Sequence, residues 1–378
     1  MQLLLIIMHL VLFFTFDYSL ITWLESGHLT RELKFYNYLV SRGIEVSFVT
    51  YGNNQDLDVL NDSEINIIPI YNLVNRSNYK VVNILKSIFI PFKLVKILGT
   101  ESKNLIVKQN QLLGSWVAII FKLISNSKLY TRTGYDMYLF SVKDKKNFLK
   151  RFSYLVLTQI TLLFSDRYSV TSNSDAIFLK KKYFATRNVV IRPNWVDEGF
   201  ENNDRKYKST LLAVGRLEKQ KGFDDLLNSL KNTSFELDIY GEGSLKQELI
   251  EISTKLCVPL RIYDNIENED LLDIYKQYKY FVSSAMFEGN SKVILEAMAN
   301  GCIVIAKDIE NNREIIDNGN SGLLFTSNLH EILIKLQNEE YDDQKFLKNA
   351  SNKIKETYSK DVIFTDYFLD FEKLFQSK

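Results

Sequence analysis

Short apolar runs recur along the chain, each followed by a polar loop and then by a stretch whose apolar residues fall three or four apart. The runs have the length of strands buried on both faces of a parallel sheet, and the longer stretches have the period of helices. Residues 1–16 are apolar apart from Gln2, His9 and Thr15, and read as a first buried strand with an apolar preamble. Asp17 to His28 then reads as a loop. Leu29 to Ser41 reads as a helix that buries Leu33, Tyr36, Leu39 and Val40 and stops at Gly43, and Ile44 to Thr50 as the next strand. Further strands are expected at Leu105–Lys108, Lys128–Thr131, Tyr168–Ser172 and Val189–Ile191, with a helix over Trp116–Ile124. A polar run from Asp197 to Lys208 reads as a linker. Beyond it the pattern restarts with strands at Leu211–Gly215, Phe235–Tyr240, Leu260–Tyr263, Tyr280–Ala285 and Cys302–Ala306, and a last helix covers about 361–375.

The stretch between the last two of those strands carries the densest candidate chemistry. Phe287-Glu288-Gly289-Asn290-Ser291 supplies a loop and an N-cap, and Lys292-Val293-Ile294-Leu295-Glu296-Ala297-Met298-Ala299 has helical propensity up to Gly301. A helix opening at the tip of a parallel strand offers N–H groups to an anion, most often a phosphate. Glu288 in the loop and Glu296 about two turns into the helix would repel a phosphate but accept hydrogen bonds from hydroxyls. The combination suits a ligand with phosphates and hydroxyl-rich rings, and the plainer account is two solvated glutamates on a surface helix. A second loop, Gly215-Arg216-Leu217-Glu218-Lys219-Gln220-Lys221-Gly222, puts two cations around a turn before a helix over Asp224–Leu230.

Glu288-x7-Glu296, within its apolar flanks, resembles the E-x7-E block of the retaining glycosyltransferases of family 4, which have the GT-B fold. Gly215-Arg216 with Lys221-Gly222 resembles the same family's G-R-x6-KG block, with four residues between Arg216 and Lys221 in place of six. The turn Gly241-Glu242-Gly243 and the hinge Arg192-Pro193-Asn194-Trp195-Val196-Asp197 are also similar, the latter with Trp in place of Gly. The resemblance covers about Pro193 to Leu324. It implies two Rossmann-like α/β/α domains facing a central cleft: residues 1–192 for the acceptor, 193–360 for the nucleotide-sugar donor, and a helix at 361–378 crossing back to the first. It also implies that Arg216 and Lys221 grip the donor diphosphate, that Glu288 contacts the transferred sugar and Glu296 the ribose. On the same resemblance Gly215, Gly289, Asn290, Ser291, Lys292 and Val293 would line that donor site, and Asn265 and Ile266 would hold the base through backbone groups. On the acceptor side it points to Gly27, whose lack of a side chain permits close approach, with a plain turn glycine as the equal alternative. The strand-tip loop from Arg132 to Asp136 adds Arg132, Tyr135 and Asp136, with an Arg132–Asp136 ion pair as the plainer account.

Composition narrows the field further. An apolar fraction of 46% over 378 residues supports two ordinary cores. Cys257 and Cys302, both in apolar surroundings, read as reduced core residues of a cytoplasmic protein, and three scattered histidines leave no zinc pattern. Asp56-Leu57-Asp58 has the D-x-D form of metal-dependent transferases but follows a polar loop instead of closing a strand, so no metal and no cofactor is expected. Net charge is +1 overall, yet residues 1–196 carry +11 and residues 197–378 carry −10. Lysines interrupt the apolar segments Ile84–Leu98 and Lys143–Phe164, each of which reads either as a basic amphipathic surface resting on an anionic membrane or as a helix with a solvated lysine face; the basic half suits an anionic lipid surface or a phosphorylated acceptor, and no nucleic-acid motif is present.

The reading that results is transfer of a hexose from a UDP- or GDP-type donor, with retained configuration, to a hydroxyl of a glycan or lipid-linked acceptor in surface polysaccharide assembly. Glu288, Arg216 and Lys221 would be the catalytic residues. Two rivals stay open at this point: a sugar-nucleotide epimerase of the same fold, and a noncatalytic nucleotide-sugar-binding subunit.

Overall fold

The computed structural model describes residues 8–61, 63–99, 104–199 and 207–377. The apolar preamble at residues 1–7 and most of the expected linker lie outside them. Among the described residues thirteen strands follow one another: β1 His9–Phe13, β2 Glu45–Thr50, β3 Asn66–Pro69, β4 Leu105–Asn110, β5 Lys128–Arg132, β6 Arg167–Val170, β7 Val189–Ile191, β8 Tyr207–Val214, β9 Glu236–Tyr240, β10 Leu260–Tyr263, β11 Tyr278–Ser283, β12 Ile303–Lys307 and β13 Leu323–Phe325. They form two parallel sheets, ordered β3-β2-β1-β4-β5-β6-β7 and β10-β9-β8-β11-β12-β13. The chain divides after Arg192 into two compact units, and residues from Phe364 onward return to the first.

In the first unit the Leu29–Ser41 helix has the expected bounds, and Gly43 ends it at φ +79. Tyr36 and Leu39 are buried as expected, while Leu33 and Val40 are only half-buried and Phe35 takes a core position. Phe35 packs its ring against Phe364, Tyr367 and Phe371 of the Lys360–Gln376 helix, which is how the chain's end is held to this unit. The expected loop at Asp17–His28 instead contains a helix, Leu20–Glu25, started by a capping box between Ser19 and Thr22. Asp56 lies in a helix, Asn54–Val59, and not in a polar loop. Its buried carboxylate accepts from the N–H groups of Leu20 and Ile21, both at 3.2 Å, which caps the neighbouring helix and accounts for the aspartate.

Lys108 is buried in β4, donates to the Tyr36 hydroxyl at 3.0 Å and lies 5.3 Å from that ring's centre. Burial, with Arg132 adding repulsion and Glu32 opposing it, pushes its ammonium down to about 7. The unfolded chain regains 10.5, so unfolding takes up protons between these values and this group stabilises the fold as pH rises through that window. Lys108→Met should remove that contribution. Thermal unfolding is then expected to show the variant losing ground to the wild type as pH is raised from 7 to about 9, and a pH-independent difference would contradict the assignment.

In the second unit β9, β10 and β12 fall within a residue of their expected bounds; β12 is buried from Ile303 to Ala306, while the edge strand β10 is half-buried at Leu260 and Ile262 and exposed at Arg261 and Tyr263. Leu211, Leu237, Ile239, Val282 and Ile305 build the core on one face, and Leu212, Phe281, Ile294 and Val304 on the other. Both cysteines are free thiols, but only Cys302 is buried. Cys257 is exposed, because it stands just past the Lys246–Leu256 helix at φ +55, where the chain must turn outward.

Candidate functional site

The second sheet reverses its winding between β8 and β11, which are parallel neighbours, so the loops that leave their carboxyl ends stand side by side. Crevices at such switch points are where open parallel sheets hold ligands. One loop runs from Gly215 to Gly222 and includes a short 3-10 turn at Lys219–Lys221; the other runs from Ser284 to Ser291. The two are stitched by hydrogen bonds. Ser284 Oγ donates to the Lys221 carbonyl at 2.8 Å, Gln220 Nε2 donates to the Phe287 carbonyl at 2.8 Å, and Met286 N–H donates to the Gln220 carbonyl at 2.9 Å.

Across this seam Lys221 Nζ meets Glu288 Oε2 at 2.8 Å, with both side chains mostly buried. Glycine makes the pairing possible: a Cβ on Gly215 would stand 2.9 Å from Lys221 Cε, and one on Gly222 would stand 2.7 Å from the Ser284 carbonyl. Gly241 and Gly243, in the turn after β9, bring a third loop against the first. A Cβ on either would strike the backbone of Gly215 or Leu217. Arg216, on the same loop as Lys221, is exposed and has no ion-pair partner among the described residues.

The Lys292–Ala299 helix starts beside the pair. Ser291 occupies its N-cap position, and its side chain does not bond the first turn. Asn290 is buried, and its side-chain carbonyl accepts from Asn194 N–H at 2.8 Å, which ties the hinge segment to the helix mouth. Asn311 Nδ2 donates to the Glu288 carbonyl at 2.8 Å and holds that residue's backbone. Glu296 is buried and accepts from Asn268 Nδ2 at 3.1 Å. Gly289, Lys292 and Val293 are half-buried at the same mouth. Asn265 and Ile266 are exposed beyond β10, and Asn265 N–H reaches Glu242 Oε1 at 3.4 Å. The structure thus sets Gly215, Arg216, Lys221, Glu288 and Asn290 on the two neighbouring loops of the switch point, and Asn265 and Ile266 after β10, two strands from β8.

The residues expected on the acceptor side belong to the first unit and have structural partners. Gly27 does not follow β1 directly. It ends the Leu20–Glu25 helix at φ +66, donating to the Leu24 carbonyl while His28 N–H donates to that of Trp23, a turn that itself calls for glycine. Arg132 closes β5, half-buried, and its Nε donates to the Tyr367 hydroxyl. Asp136 is buried; it caps the Met137–Lys143 helix through Leu139 N–H at 2.6 Å and accepts from the Tyr183 hydroxyl at 3.1 Å. Those bonds replace the Arg132–Asp136 pair weighed above. Tyr135 is exposed and stacks on Phe140 at 4.3 Å.

Asn194, Asn268, Gln220 and Asn311 escaped the reading of the sequence as site residues. Each makes a backbone or carboxylate bond to a partner far along the chain, which leaves no local signal; Asn194 and Gln220 stood inside recognised segments. Among the described residues no three His, Cys, Asp or Glu side chains gather as metal ligands.

Residues 197–357 match the family of glycosyl transferases group 1. The Campylobacter jejuni N-acetylgalactosamine-N,N'-diacetylbacillosaminyl-diphospho-undecaprenol 4-alpha-N-acetylgalactosaminyltransferase is 31% identical over 156 residues, 38% of this chain and 40% of that protein. The capsular polysaccharide biosynthesis glycosyltransferase CapH of Staphylococcus aureus is 24% identical over 248 residues, 61% of this chain and 67% of that protein. The chain therefore spans less than half of the first relative's length. Among solved structures, sucrose-phosphate synthase from Thermosynechococcus elongatus superposes with a TM-score of 0.77 at 15% identity, over 98% of this chain and 100% of that one. Anabaena HepE in complex with UDP gives 0.76 at 14% identity, over 97% of this chain and 100% of that one. The two parallel sheets with their helices have the fold of GT-B glycosyltransferases.

Proposed function

We propose, from the glycosyl transferases group 1 domain that residues 197–357 form, that this chain is a retaining hexosyltransferase of family 4. It would move a sugar from a UDP- or GDP-type donor to a hydroxyl of a glycan or lipid-linked acceptor in surface polysaccharide assembly. The observation that carries the reading is the Lys221–Glu288 pair, held at a strand switch point beside the start of the Lys292–Ala299 helix and the exposed Arg216. Breaking a glycosyl–phosphate bond builds negative charge on the leaving diphosphate. Lys221, Arg216 and the first-turn amides of the Lys292–Ala299 helix are fixed donors that offset it as it develops. Glu288 accepts from a hydroxyl of the transferred sugar while it holds Lys221 in place, and Glu296 accepts from the ribose. Retention follows if the acceptor attacks the face the diphosphate leaves, with a phosphate oxygen taking the acceptor proton. No cofactor or metal is needed on this reading, because protein cations supply the charge.

Two relatives support the setting through their names, one acting on a diphospho-undecaprenol-linked sugar and one in capsular polysaccharide biosynthesis. On this reading the protein works in the cytoplasm, at the inner face of the cytoplasmic membrane. Incubation with UDP- and GDP-hexoses and glycan acceptors is expected to release the nucleoside diphosphate and yield an α-linked product from an α-linked donor, at a rate that a chelator leaves unchanged. A donor isomerised without transfer would point to the epimerase. Saturable binding without turnover would point to the noncatalytic subunit.

A further inference from the structure

The Phe148–Phe164 helix of the first unit buries Thr158, Thr161 and Leu162, Thr161 bonded to Ser115 Oγ at 2.9 Å, yet leaves a second set of large apolar side chains in water. Leu149 is 76% exposed, and Phe152, Val156, Ile160 and Leu163 are exposed with it. These positions fall three or four apart, so they form one stripe, about 21 Å long at the helical rise. Phe148, 69% exposed, widens it at one end and stacks on Phe152. Phe184, 81% exposed, extends it sideways, because its backbone is bonded at both N–H and C=O to the side chain of Gln159.

Charge says what covers this face. Lys145, Lys146 and Lys150 are exposed at the start of the helix and Arg151 follows, with Asp144 the one acid in this run, 3.8 Å from Lys146. An apolar stripe ending in a cation cluster matches a bilayer surface on both counts, since the side chains can enter the acyl boundary while the lysines meet anionic headgroups. No helix among the described residues is long and apolar enough to cross a membrane, and this one lies along the unit's surface. We propose that the outward face of the Phe148–Phe164 helix docks flat on an anionic lipid bilayer, with Lys145, Lys146 and Lys150 against the headgroups.

The inference rests on the proposed transferase reading only for its purpose, to hold the protein where lipid-linked acceptors are; the surface itself is tested apart from catalysis. In flotation assays, wild-type protein should rise with phosphatidylcholine vesicles containing phosphatidylglycerol and stay behind with phosphatidylcholine alone. Leu149→Ser/Phe152→Ser and Lys145→Glu/Lys146→Glu should each weaken binding by about tenfold or more, and salt should weaken the wild type. All four side chains are exposed, so both variants should melt with the wild type and bind UDP or GDP as the wild type does. Equal binding to both vesicle types, or binding that neither variant weakens, would overturn the proposal. So would a dimer, broken by the apolar variant, in a protein that ignores vesicles, since the stripe would then face another copy. Flotation that persists in a protein with no nucleotide affinity would keep this surface and sink the transferase reading instead.

Discussion

Lys221→Ala is expected to lower turnover by about two orders of magnitude or more while leaving the fold intact. Fixed donors aimed at charge that develops during bond breaking act on the transition state, and loss of one such donor has effects of that size. Lys221 is expected to exceed Arg216 here for a structural reason. The ammonium sits in a mostly buried seam, 2.8 Å from Glu288, whereas Arg216 is exposed and screened by water. Truncation also does more than remove a cation. It leaves the Glu288 carboxylate facing the crevice without its partner, so the residue that should hold the sugar would repel the leaving diphosphate. Steady-state kinetics with a saturating donor should show kcat falling further than KM rises, since ground-state contacts through Asn290 and the helix amides remain. Full activity in this variant would remove the basis for the proposed chemistry.

The elements around this pair differ in how visible they are in the sequence. Continuous apolar runs mark β11 and β12 to within two residues, because strands covered on both faces admit little else, whereas β9 and the edge strand β10 interrupt theirs with Asp238 and Arg261. Gly43 and Gly301 mark helix ends, both lying at positive φ that their neighbours would resist. The Leu20–Glu25 helix is invisible for the opposite reason: at six residues it is too short to show a period, and what starts it, Ser19 with Thr22 and the distant Asp56, involves contacts across 36 positions. Cys257 misled because its apolar neighbours describe the helix face, while the left-handed turn at that residue points it outward. In the site, the cations and carboxylates were legible as two blocks through their resemblance, but the pairing of Lys221 with Glu288 spans 67 positions and emerges only once β8 and β11 lie side by side. The seam bonds of Gln220 and Ser284 have the same character.

Asp370 shows what that gap costs in stability terms, and Asp370→Ala is expected to destabilise the first unit by about 3 kcal/mol or more. The carboxylate is fully buried on the Lys360–Gln376 helix and takes four bonds. Arg192 binds it through two nitrogens, Nε to Oδ2 at 2.9 Å and Nη2 to Oδ1 at 2.8 Å; Arg167 binds Oδ1, and the Tyr130 hydroxyl donates to Oδ2 at 3.1 Å. Alanine would leave two guanidinium groups and a buried hydroxyl without their acceptor, which is worse than never having placed them there. The guanidinium side chains keep 18% and 23% of their exposure, so water can recover part of the loss and the lower end of the range for broken buried pairs applies. Asp370→Asn should cost less, since it keeps one acceptor oxygen and the shape of the site. The ring contacts of Phe35 with Phe364, Tyr367 and Phe371 remain in both variants, so the helix should loosen before it is lost. Urea unfolding should show the midpoint falling for alanine and less for asparagine. An alanine variant as stable as the wild type would mean that the aromatic contacts alone hold the chain's end in place.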